Sequence, residues 1–202
     1  MKYFHSFFVL VSILCAFTLA QGQSSVAVQK NRRDAALEEQ LKKLMTRVGV
    51  NVVEGSAKST QPKAYREVKV RWTDSTDSKT KPSLSAAQQK QAPVVSLVED
   101  KKRSGTLPRQ RSLQLSPNQV FVAAVGDANQ LRWWSIISDP RVVRAEFQAP
   151  SGELRSQDYY QSNFTLTVGI PDDPQITNLR FYKPIWTGSD FDLKLLSVVS
   201  VR

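Results

Sequence analysis

From Asn118 onward the chain is a series of short strand-like segments with a turn former every ten or so residues, and none has helical spacing. QVFVAAV is apolar throughout, as a strand covered on both faces is. GDAN turns it and LRWWSII follows. Asp139-Pro140 then sets a type I turn, with Asp at i and Pro at i+1, and VVRAEF runs back. Ala149-Pro150-Ser151-Gly152 is a second turn of that form. In NFTLTVGI, Phe164, Leu166, Val168 and Ile170 alternate with Thr165, Thr167 and Gly169, which gives one buried and one wet face. TNLRFYK and LKLLSVVSV complete the set. Six or seven short strands in about 85 residues imply a mainly β fold, an antiparallel sandwich of immunoglobulin-like size, with a closed barrel as the alternative.

The first 20 residues read as an address. MKYFHSFFVLVSILCAFTLA has Lys2, an apolar run from Phe7 to Leu19 and the small-residue pattern Thr18-Leu19-Ala20, the three parts of a secretory signal peptide cleaved after Ala20. The apolar run is shorter than the roughly 18 to 20 residues of a spanning helix, so no transmembrane span is expected after cleavage. An exported protein, periplasmic or extracellular, is the expectation. The only cysteine is Cys15 and the only histidine is His5. Both would leave with the signal. That removes thiol nucleophiles, Ser-His-Asp relays, histidine acid–base work, the usual zinc sites and disulfides.

Charge divides the remainder. Residues 21–117 hold 19 Lys+Arg against 9 Asp+Glu, whereas residues 118–202 hold 8 against 9. The first part therefore reads as a basic arm in front of a β-sandwich domain at 118–202. Within the arm, Leu37, Leu41, Leu44, Met45 and Val48 form an apolar stripe that predicts a helix over about 35–48, with Asp34 as its cap and Gly49 closing it. The stripe suits docking on the β domain. REVKVRW alternates Val68, Val70 and Trp72 with charged residues and VVSLV is a short apolar run, two islands of possible strand in what otherwise reads as a flexible basic linker.

The turn acids Asp127, Asp139, Asp172, Asp173, Asp190 and Asp192 match no fixed metal-ligand spacing, so no metal and no cofactor is expected; aspartate is a favoured turn residue in its own right. The candidate binding residues lie around the tryptophan pair. Strict alternation puts Leu131, Trp133, Ser135 and Ile137 on one face and Arg132, Trp134 and Ile136 on the other. With the first set in the core, Trp134, Ile136 and Arg132, joined by Arg144 on the returning strand, make an outward patch of the composition found at interface hot spots. Either the chain's own first half or a partner covers that patch. The expected function is that of a non-enzymatic binding protein, an accessory subunit or adaptor in an envelope or secretion-linked assembly. Its partner would be another exported protein or an anionic surface polymer, not nucleic acid. A small carbohydrate-binding module or a hydrolase using carboxylates alone is the alternative.

Overall fold

The computed structural model describes residues 32–54, 63–73 and 93–201. The signal-peptide reading of residues 1–20 and most of the linker reading, at 55–62 and 74–92, lie outside them. The described chain runs α1 (32–47), β1 (Asn51–Val52), β2 (Ala64–Thr73), β3 (Val94–Ser104), β4 (Gln119–Val125), a single 3-10 turn at Asp127–Asn129, β5 (Gln130–Ser138), β6 (Val142–Gln148), β7 (Leu154–Tyr160), β8 (Asn163–Pro171), β9 (Asn178–Trp186) and β10 (Phe191–Ser200).

The strands form a five-stranded sheet in the order β1-β5-β4-β9-β10, a three-stranded sheet β3-β2-β8 and a separate two-stranded ribbon β6-β7. The two larger sheets pack face to face as a β-sandwich. Between them lie Val68, Val70 and Trp72 of β2, Val120, Val122 and Ala124 of β4, Val168 and Ile170 of β8, and Leu179 and Phe181 of β9. Trp72 fills the middle, stacked on Phe164 at 5.6 Å and edge-on to Phe181 at 5.7 Å. The pairing is antiparallel except where β1 runs parallel to β5, at Asn51↔Gln130 and Val52↔Leu131.

The other face of the five-stranded sheet is covered by α1. Leu37, Leu41, Leu44 and Met45 bury against Phe121, Ala123, Trp134, Tyr182 and Leu193. β4 is therefore apolar on both sides because it is the middle of three layers. The described residues are already helical at 32, which places Asp34 inside the helix and not at its cap, and there it pairs with Arg109 at 3.4 Å. It ends as a glycine-closed turn. Gly49 has φ +70, its N–H donates to the Thr46 carbonyl, and the Val50 N–H donates to the Met45 carbonyl while Val50 and Met45 bury together.

The sandwich reaches back across residue 117. β2 is the central strand of its sheet, paired along its length with both β3 and β8, and it lies in the segment expected to be a basic arm. Between β3 and β4, residues 105–118 form a strap. Leu107 lies against Gly169 so closely that a Cβ there would come within 2.7 Å of it, and Leu113 and Leu115 pack into the helix layer.

Candidate binding surface

The expected patch around the tryptophan pair is not a surface. A bulge in β5 sets Trp133 opposite Ala124 and Leu131 opposite Val125, which leaves Arg132 as the extra residue. Alternation therefore slips by one. Leu131, Trp134 and Ile136 face α1, and Trp133 and Ile137 face the three-stranded sheet. Trp134 is only 5% exposed and stacks on Phe121 at 5.6 Å. Ile136 is half-buried in the same layer. Arg132, whose Nε donates to Asp173 at 3.0 Å, is held at the far end of the sandwich. The chain's own helix covers this face.

Arg144, the fourth expected residue, lies elsewhere, on the β6–β7 ribbon. Its root is built from the turn read in the sequence. The Val142 N–H donates to the Asp139 carbonyl at 3.0 Å, closing the turn. Both oxygens of the Asp139 carboxylate take N–H groups of Arg141, from Nε at 2.9 Å and NH2 at 2.6 Å, with both residues 2% exposed. The Arg141 guanidinium sits 5.4 Å from the centre of the Trp72 ring. Gln161 N–H returns to the Arg141 carbonyl at 2.8 Å. The root is thus tied to the core through Arg141, and Gln161 closes the ribbon onto it.

Beyond the root, among the described residues, β6 and β7 pair only with each other and make no extensive contact with another element. Their register sets Val143 opposite Tyr159, Ala145 opposite Gln157 and Phe147 opposite Arg155 on one face, and Arg144 opposite Asp158 on the other. Arg144 Nε donates to Asp158 at 3.1 Å. Val143 and Phe147 are exposed, Phe147 at 45%, and Leu154 beside the tip turn is 79% exposed. The turn is the second one read in the sequence, with the Gly152 N–H donating to the Ala149 carbonyl. Strand register puts the β9–β10 turn at the same end of the sandwich as the ribbon root, and there Ile185 and Trp186 are exposed as well. The signal for this surface was present in the sequence as VVRAEF followed by a turn, but nothing in the pattern says that the hairpin leaves the body.

Five of the six turn acids are held by cations. Asp139 binds Arg141, Asp172 binds Lys102, Asp173 binds Arg132, and Asp190 and Asp192 both bind Arg47, at 3.1 and 2.8 Å. The Phe191 N–H and then the Arg47 guanidinium hold the Asp190 carboxyl below its ordinary range. Half-buried Lys183 is pushed down by desolvation, with the nearby Arg141 charge adding to it. Burial beneath the helix pushes the Tyr182 phenol up. A cavity of about 300 Å³ opens between α1 and the strap, lined by Lys43, Arg47, Leu113, Leu115, Asp190 and Phe191; its acid is already engaged by Arg47. Comparison with protein-family models, curated proteins and solved structures finds no match to this chain.

Proposed function

We propose that the protein is an exported, non-enzymatic binding protein, an accessory subunit or adaptor in an envelope or secretion-linked assembly, and that the β6–β7 ribbon is its contact surface. One observation carries this: a ribbon clamped at its root by a buried ion pair presents Val143, Phe147 and Leu154 to solvent. A two-stranded ribbon with no sheet or helix against its face is marginal in water by itself. Apolar area on it gains about 25 cal/mol per Å² when a partner covers it.

An anionic surface as partner finds less support. Lys69 and Lys101 both reach Glu99, Arg103 reaches Glu67 and Arg66 reaches Asp100, while Lys102 and Arg47 are held by Asp172, Asp190 and Asp192 of the second half, so these cations are engaged within the molecule and do not form an open basic face. Contact through the ribbon is accordingly expected to weaken little with salt.

The test compares the wild-type chain with Phe147→Ser and Leu154→Ser as bait against envelope proteins of the source cell. A protein held by the wild type and released by either substitution, with melting temperature unchanged, supports the reading. Identical capture by all three chains, or release by salt alone, overturns it.

A further inference from the structure

We infer that the free edge of β6 pairs with the β6 edge of a second copy of this chain, in a two-fold antiparallel contact centred on Ala145. This deepens the proposed role of the ribbon and names one of its partners.

The Gln161 N–H bonds the Arg141 carbonyl and the Ala149 N–H bonds the Glu153 carbonyl, so the odd-numbered residues of β6 turn their backbone groups toward β7. The N–H and C=O groups of Arg144 and Glu146 then point to the open side, because these directions alternate along a strand. Two other outer strands are blunted: β3 carries a bulge and the run Lys101-Lys102-Arg103, and β10 carries a bulge and Lys194. β6 has no bulge, no lysine and no proline.

Its sequence, VVRAEFQ, is complementary to itself when reversed about Ala145. Arg144 then meets Glu146 of the second copy, and Glu146 meets Arg144. Val143 meets Phe147, and Ala145 meets Ala145. The outward backbone groups make Arg144 and Glu146 the hydrogen-bonded pair, whereas Val143–Phe147 and Ala145–Ala145 fall at the closer, non-bonded positions. Glu146 faces Ser156 across its own ribbon and makes no ion pair among the described residues. Arg144 would sit between Asp158 of its own chain and Glu146 of the other.

The β7 edge offers no such match, since reversal about Gln157 sets Arg155 against Tyr159 and Ser156 against Asp158. Because β6 leaves the body at its first residue, antiparallel pairing places the two sandwiches at opposite ends of a four-stranded sheet about 24 Å long, seven rungs at about 3.4 Å each. A contact of this size is a small isologous interface, so dimerisation is expected at micromolar concentrations and not below. The merged sheet joins the Val143, Phe147 and Tyr159 faces of both copies into one platform.

The test is the mass in solution of the chain from Gln21 to Arg202, which keeps every described residue, measured by sedimentation across micromolar to near-millimolar concentrations. The wild type is expected to dimerise. Arg144→Glu sets like charges against Glu146 of the second copy, and Glu146→Arg does the same with the opposite sign, so each variant alone is expected to lose at least about tenfold in dimer affinity. An equimolar mixture of the two variants restores both opposite-charge pairs and is expected to dimerise again, as is the double variant Arg144→Glu/Glu146→Arg. Should either single variant fold poorly, the double variant decides: a dimer supports the pairing and a monomer overturns it. A wild type that stays monomeric, or a dimer indifferent to both reversals, also overturns it. Loss of the dimer leaves capture through Phe147 and Leu154 measurable, so the two readings fail separately.

Discussion

Asp139 and Arg141 are the two charged residues buried among the described ones, and they are buried together. Their pair is enclosed by the turn that forms it, by the Trp72 ring and by the ends of β4 and β5, so neither charge can recover water without opening the sandwich. Removing one partner strands the other. Asp139→Ala is expected to cost about 3–5 kcal/mol in urea unfolding, whereas replacing both residues with leucine is expected to cost much less than the two single losses summed. The tryptophans argue the same way. Trp134 lies between Phe121 and the helix, so Trp134→Ala in the full chain is expected to cost about 3–5 kcal/mol, the range for a core aromatic. A loss below about 1 kcal/mol would mean that the helix does not seal this face. Lys183, half-buried beside Arg141, has its pKa lowered by desolvation and by that charge, so Lys183→Met is expected to raise the melting temperature at neutral pH.

At the scale of elements, α1 was legible in the sequence because its stripe is continuous and Gly49 ends it by a rule that needs no tertiary knowledge. Six of the strands after residue 117 were legible and both turns close where Asp139-Pro140 and Ala149-Pro150 put them, but β7, LRSQDYY, has no apolar alternation and was not legible. The site was not. Alternation along LRWWSII holds only if the ladder is regular, and it is broken by the bulge at Arg132, whose side chain is held by Asp173, far away in sequence. Of the four expected residues only Arg144 reaches the surface now proposed. The docking of α1 also carries a pH signature. Arg47 grips Asp190 and Asp192 and bonds the Phe191 carbonyl, anchoring the C-terminal end of the helix to the β9–β10 turn. A carboxyl whose pKa is depressed on folding adds stability above its unfolded value, ordinarily 3.8 here, and that contribution disappears as pH falls through the folded value. The protection of α1 amides, taken against intrinsic exchange at each pH, is therefore expected to fall below about pH 4 in the wild type, and Arg47→Ala is expected to lower it at neutral pH and flatten the acid step. Equal exchange in both chains at every pH would remove the anchor.

The whole molecule depends on contacts that cross the charge boundary at residue 117. A composition shift is evidence for a domain limit only when each side can close its own core, and here neither can. The fragment Asn118–Arg202 keeps all the strands of the five-stranded sheet except the two-residue β1, but β8 becomes the sole strand of the opposing layer, because β3 and β2 precede the cut. It also loses Val68, Val70, Trp72 and Val95 from the space between the sheets, together with all of α1 from the other face. Phe121, Trp134 and Tyr182 on one side and Val122, Leu179 and Phe181 on the other would then face water. Their exposure removes several kcal/mol of burial from a fold whose total margin is of order 5–15 kcal/mol. The fragment is accordingly expected to be soluble only as an aggregate or a loose state, with dye binding to exposed apolar surface and no cooperative melt. Adding a separately produced segment 21–117 is expected to restore cooperativity, since β2 brings a complete ladder for β8 and α1 brings its own apolar stripe. A fragment that melts cooperatively by itself, with dispersed amide resonances, would show that the β strands after residue 117 close a core without the layers described above.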